Sequence, residues 1–459
     1  MRIAFQSILC IGLSVCAAIS IGCSNKPARA SREKAAELSR SSAPPAASTE
    51  PVKEQRVYID ASISMQGFVN TNQHTTFDDF IEYLGDVMPG CRPYRYGARG
   101  DSRAANGNRN AGRGDDAEKG DGLIIEPAGF GLELHRPDFY SLPFNADDRL
   151  INRLVKDEQP AFSVLITDGV YSEPEGAGSP LVVQAAQSWM EKGGVLGVFH
   201  LRGTFKGPFY SERGRSMIRL PQPVPDRPFY AIVFSPTESA LRDFQGKLQR
   251  RFNDMQSFVF TDSAVSCVPG LNERMKGVYS HARPPKTPYY WHMFDDEFFE
   301  EHNPVAVGYN FKCTVAPDYP VADFNIALTA DYYQWKNSGF QPAGGVPSGF
   351  KLDLQPNKGD AVVVEGKGSR SPSAPPDFIV HFPRDQSSDY GFYHLKLSAL
   401  PKELRPEFAS LSTRDDRQVA DANKTYRFFE LMSSLSEVHF KSRLARSASS
   451  AIFVTIQNH

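Results

Sequence analysis

The chain is expected to be an α/β protein, with a mainly parallel sheet carrying helices on both faces and a β-rich, sandwich-like unit after it. Three observations predict this. Apolar runs at 57–59, 161–167, 195–201 and 229–234 alternate with amphipathic stretches, as buried strands joined by helices do. After residue 254 the pattern changes to short aromatic and β-branched runs punctuated by Pro and Gly. The 459 residues, 41% hydrophobic and 23% charged, are enough for two or three domains with real cores.

The first 22 residues are read as a signal segment. Arg2 precedes an apolar stretch, 8–21, that is broken by Ser and Gly and too short to span a bilayer. It ends in Ile19-Ser20-Ile21-Gly22-Cys23, which resembles the lipobox of bacterial lipoproteins, with Ser20 where that family usually has Leu. The resemblance implies that Cys23 becomes a lipidated N-terminus, held to a membrane without spanning it. Ser24 after Cys23 implies the outer membrane of a Gram-negative envelope. The alternative is a plain secretory signal with a chance Cys. Residues 23–55, rich in Ala, Ser, Pro and charge, read as a flexible tether.

The α/β unit is expected over 56–254. Val57-Tyr58-Ile59 is a buried strand that ends at Asp60. Thr76 and Asp79 look like an N-cap pair before a helical stripe of Phe77, Phe80, Ile81 and Leu84. Residues 97–122, rich in Gly, Asn, Arg and Asp, read as a disordered insertion. A helix over 147–155 puts Leu150, Ile151 and Leu154 on one face. The strand 161–167 (AFSVLIT) follows, then a helix over 180–192 opened by Pro180, a strand over 195–201, a strand over 229–234 (FYAIVF) and a helix over 237–250.

The second unit is expected over 255–459. Its strand-like runs are Phe258-Val259-Phe260, Tyr289-Tyr290-Trp291, 305–311, 324–328, 361–364 and 378–382. Tyr426, Phe429, Met432, Leu435 and Val438 suggest one late helix, and 451–456 a last strand. Of the six cysteines, Cys10 and Cys16 lie in the signal and Cys23 at the anchor. Cys267 and Cys313 share the C-terminal half and are the candidate disulfide, with Cys91 left free; three buried thiols are the alternative.

Two motifs carry chemistry. Asp60-Ala61-Ser62-Ile63-Ser64-Met65 stands where the first strand ends. Oxygens two residues apart after a strand end can turn toward one point. Asp60 brings charge, while Ser62 and Ser64 bring neutral hydroxyls. Mg²⁺ takes about six oxygens and commonly needs only one or two carboxylates beside waters, so such a set leaves the ion an open position. Thr167-Asp168-Gly169 ends the second buried strand; alone, Asp168 would read as an Asx turn before Gly169.

Together these motifs resemble those of the von Willebrand factor type A domain. DASISMQG is similar to that family's D-x-S-x-S-M-x-G metal-ion-dependent adhesion site, and Thr167-Asp168-Gly169 to its T-D-G. The resemblance covers about residues 56–254. It implies a Rossmann-like fold, a Mg²⁺ ion (or Ca²⁺ or Mn²⁺) on Asp60, Ser62, Ser64 and Asp168, and a partner protein whose acidic residue completes the shell. At the place of the family's Thr ligand stands Asn145, either a weaker ligand or an N-cap for the helix that follows.

Other classes find less support. Lys+Arg 51 against Asp+Glu 53 shows no basic excess for nucleic acid. No H-E-x-x-H, G-x-x-x-x-G-K-[ST] or G-x-S-x-G occurs, and no base is evident beside Ser62, so a binding protein is expected rather than an enzyme. A metal-free scaffold and, behind it, a metal-assisted hydrolase are the alternatives. His200 reads as a core residue. The tripeptides Arg99-Gly100-Asp101 and Arg113-Gly114-Asp115 read as solvated loop, and Tyr332, Tyr333 and Trp335 as strand packing.

Overall fold

A computed structural model describes residues 54–69, 74–99, 122–157, 161–169, 180–214, 216–220, 222–271, 291–294, 305–337, 339–354, 378–383, 390–418, 422–444 and 452–457, with helical pieces at 29–30, 33–34 and 37–38. The signal segment, Cys23, most of the tether, residues 100–121 of the insertion, and the runs 289–290 and 361–364 lie outside the described residues. Within the expected tether, Arg29 pairs with Glu33 and Lys34 with Glu37, so some helix stands where coil was expected.

In chain order the first unit contains β1 (Gln55–Asp60), helix α1 (Thr76–Val87), β2 (Arg92–Ala98), β3 (Leu123–Pro127), α2 (Asp147–Lys156), β4 (Phe162–Thr167), α3 (Pro180–Glu191), β5 (Val195–Phe205), β6 (Pro208–Ser211), β7 (Ser216–Arg219), β8 (Val224–Ser235), α4 (Glu238–Arg251) and β9 (Gln256–Phe260). Seven strands form one sheet in the order β3-β2-β1-β4-β8-β5-β9. Alternation sorts their side chains. Val57 and Ile59 join Phe77, Phe80, Leu84, Leu241 and Phe244 on one face. Tyr58 joins Leu150, Ile151, Val182 and Ala186 on the other. Helices therefore cover both faces, α1 and α4 on one and α2 and α3 on the other.

The sheet is mixed rather than mainly parallel. β1 is parallel to β2 and β4. The pairs β2–β3, β4–β8, β5–β8 and β5–β9 are antiparallel. The cause is the connection between β5 and β8. It contains only the β6–β7 hairpin and no helix, so β8 returns beside β5 and slips in between β5 and β4. A strand buried on both faces has the same apolar run in either direction.

The helix caps follow the expected chemistry with one shift. Thr75 and Asp78 form the capping box of α1, one residue before the expected Thr76 and Asp79. Both doublets offer the same spacing, and the burial of Phe77, Phe80, Ile81 and Leu84 selects the earlier one.

The second unit contains β10 (Val265–Leu271), β11 (Trp291–Phe294), β12 (Val305–Val315), β13 (Val321–Lys336), β14 (Gly339–Pro342), β15 (Lys351–Leu354), β16 (Phe378–Phe382), β17 (Tyr390–Leu404), α5 (Glu407–Leu411), β18 (Ser412–Thr413), β19 (Thr425–Tyr426), α6 (Phe428–His439) and β20 (Ile452–Gln457). Two sheets, β10-β12-β16-β15 and β11-β20-β17-β13-β14, meet where the rings of Phe382 and Tyr393 stand 5.2 Å apart. The expected break after residue 254 falls one strand early: Phe258-Val259-Phe260 belongs to β9, the edge of the first sheet. The late helix α6 also returns to the first unit, where Phe428, Leu431 and Leu435 face Val182 and Ala186 of α3 across one apolar space.

Candidate functional site

The site lies where β1 and β4 end side by side. Ile59 pairs with Ile166, so Asp60 stands level with Thr167, and Asp168 and Gly169 follow. Gly169 turns the chain at φ +69°, and a Cβ there would meet the Tyr230 ring at 2.7 Å, so only glycine fits. Beyond β1 the backbone is pinned on both sides: Ala61 N donates to Tyr96 O, Ile63 N to Leu142 O, and Leu142 N to Ala61 O. A 3₁₀ turn, Ile63–Phe68, then folds Ser64 back toward Ser62.

The structure gathers the three residues of the first motif. Ser62 N donates to Asp60 Oδ1 at 2.8 Å, and the hydroxyls of Ser62 and Ser64 lie 2.9 Å apart. Asp60, Ser62 and Asp168 are buried, while Ser64 is half-buried. Burial, first, and then the charges of Asp147 and Asp168 push the Asp60 carboxyl well above its ordinary value. Asp168 is thus close enough to Asp60 for the two charges to repel.

Asn145 also reaches the cluster, but with its donor. Its Nδ2 donates to Asp60 Oδ2 at 2.8 Å and to Thr167 Oγ1 at 3.2 Å. Its Oδ1 accepts from Asp147 N at 2.7 Å, at the start of α2. The orphan N–H groups of a helix start claim that oxygen, so Asn145 supplies Asp60 with an amide hydrogen rather than a metal with a ligand.

Two residues beside the candidate site escaped the sequence reading. Asp147 is a third buried carboxylate. Tyr96 OH donates to its Oδ1, and Thr167 Oγ1 donates to its Oδ2 at 2.8 Å. Burial raises its pKa to about 7 against those two hydrogen bonds. Nothing in the sequence separates it from Asp148, since both are acidic residues in a helix's first turn. The other is Arg227, buried between the rings of Phe205 and Phe209, each 4.7 Å from its guanidinium. It donates to Ala422 O at 3.0 Å. Burial lowers its pKa, and the nearby charges of Asp168 and Asp416 oppose that.

The donor set suits a hard cation. It is all oxygen, it combines two mutually repelling buried carboxylates with two hydroxyls, and a bound cation would relieve the repulsion. It contains no sulfur or imidazole, so it does not suit a thiophilic ion; among the described residues no three His, Cys, Asp or Glu side chains stand close enough together to hold a metal ion.

The remaining candidates sort out by burial and register. His200 is buried, its ring 5.4 Å from that of Tyr230, and burial lowers its pKa to about 3, so it is a neutral core residue. Tyr332 and Tyr333 are buried in the second unit. Cys267 and Cys313 are register partners on antiparallel β10 and β12, and their side chains lie outside the described residues. Cys91 is a half-buried free thiol whose pKa burial pushes up to about 11. No family model matches the chain, and neither a curated protein nor a solved structure shows significant similarity to it.

Proposed function

We propose that the chain is an envelope lipoprotein, anchored through Cys23, whose first unit is a von Willebrand factor type A-like domain that binds a partner protein through a divalent cation. The observation that carries the reading is that Asp60, Ser62 and Ser64 cluster at the end of β1 beside the end of β4, where Asp168 is near enough for its charge to act on Asp60. Asp60 and Asp168 hold the charge, and the two hydroxyls add neutral oxygens. Thr167, Asn145 and Asp147 fix the frame around them through one connected set of hydrogen bonds. A bound Mg²⁺, Ca²⁺ or Mn²⁺ would supply an open coordination position for a carboxylate of the partner.

A metal-free scaffold is the second reading. The Asn145 amide on Asp60 and the buried Arg227 near Asp168 favour it, because both already offset negative charge. Cross-linked capture of envelope proteins separates the two. With Mg²⁺ present, wild-type chain should hold a partner that excess EDTA releases and that Asp60→Ala fails to capture. Equal capture in EDTA and by Asp60→Ala supports the scaffold instead.

A further inference from the structure

We propose that the exposed start of α1 carries a second metal site, suited to a transition ion such as Zn²⁺ and built on His74, Glu82 and His135. The argument begins with how His135 is held. Its Nδ1 lies 2.7 Å from Asp78 Oδ1. The other oxygen of Asp78 accepts from Thr75 N and from Thr75 Oγ1, each at 2.8 Å. Asp78 is buried, and both of its oxygens are engaged in fixing the cap and the ring. An imidazole held at one ring nitrogen by a carboxylate has its other nitrogen, Nε2, oriented, and that pairing supports metal-bound histidines. The 3₁₀ turn Leu132–His135, anchored by buried Leu134 and by Tyr140 OH donating to Leu134 O at 2.9 Å, keeps the ring in place.

The outward side of that ring is furnished with further ligands. His135 Nε2 faces Glu82 Oε1 at 3.6 Å. The His74 ring lies 6.5 Å from the His135 ring, centroid to centroid. Asp79 accepts from His74 Nε2 at 3.1 Å and from Arg251 at 3.4 Å, so it balances charge at the rim. The three donors do not meet at one point in this arrangement. His74 is 54% exposed and Glu82 59% exposed, against 24% for His135. The inner ligand is therefore fixed, and the outer two can turn onto an ion by ordinary rotamer motion. Two imidazole nitrogens and one carboxylate select Zn²⁺, Cu²⁺ or Ni²⁺ over Mg²⁺ and leave a fourth position for water. None of these residues belongs to the Asp60 cluster, so the site stands apart from the proposed function.

The test is calorimetric titration of the full-length, EDTA-stripped protein with ZnCl₂ in excess Mg²⁺. One Zn²⁺ per chain should bind. His74→Ala, Glu82→Ala and His135→Ala should each weaken binding at least about tenfold, and Asp78→Asn about 10–100-fold. Asp60→Ala should leave zinc affinity unchanged. The exposed His74 and Glu82 variants should keep the wild-type melting temperature in metal-free buffer, which separates lost ligation from lost fold. Wild-type zinc affinity in a His74→Ala/His135→Ala double variant, zinc binding lost only in Asp60→Ala, or no zinc heat at all would each overturn the proposal.

Discussion

The Thr167 hydroxyl ties the end of β4 to the start of α2: it donates to Asp147 and accepts from Asn145 Nδ2 and Gly169 N. Around it three buried carboxylates share one neighbourhood, and this sets the pH behaviour of the fold. Asp147 holds its proton up to about pH 7 when folded, against an ordinary value of 3.8. A proton bound more tightly by the folded chain stabilises it. That contribution is full below about pH 4, declines as pH rises, and is gone above about pH 7. Asp60, raised in the same direction, adds to the trend. Urea unfolding across pH 4–8 in metal-free buffer should show this loss, and Asp147→Asn should flatten it. A wild-type curve that rises steadily over that range would contradict the assignment. At this scale the sequence revealed the residues that are close in the chain. Asp60, Ser62 and Ser64 announce themselves by spacing, and Asp168 by Thr167 and Gly169. Asp147 and Arg227 do not, because only the packing of α2 and β8 against β4 brings them near.

The turn after β4 shows how an element end becomes a site. Gly169 combines a left-handed φ of +69° with Tyr230 packed against its Cα, and Tyr230 is itself held by Thr425 through a hydroxyl pair at 2.8 Å. Gly169→Ala should cost about 1–3 kcal/mol in chemical unfolding through strain and overlap, and it should move Asp168. Unchanged stability in that variant would show that the turn is not constrained. Strands read from sequence in proportion to their burial. β4, buried at every position, stands out as AFSVLIT. β2 is buried only over its last three residues and carries Pro93 and two arginines before them, so it leaves no apolar run. Strand direction is a different quantity. It depends on whether a hairpin or a helix makes the connection, and the β6–β7 hairpin made β8 antiparallel where a parallel strand was expected.

Across the whole molecule the two units are joined by more than a linker. Asp416 accepts from Ser211 Oγ, Glu212 N and Arg213 N, Arg227 reaches Ala422, Tyr230 packs on Phe428 at 4.8 Å, and α6 lies against α3. These contacts bring residues 412–418 and 422–428 to the same strand ends that hold Asp168, an arrangement between distant segments that composition could not reveal. Among the described residues no helix is long and apolar enough to cross a membrane. The most direct test of the cation site is thermal unfolding of the full-length protein with and without Mg²⁺. A ligand at 100 times its Kd stabilises the folded state by about 2.7 kcal/mol, which raises Tm by about 5 °C or more for a domain of this size. The wild-type protein should show that rise and Asp60→Ala should not; equal melting temperatures for the wild type with Mg²⁺, with Mn²⁺ and in EDTA would contradict a cation site at Asp60, Ser62, Ser64 and Asp168.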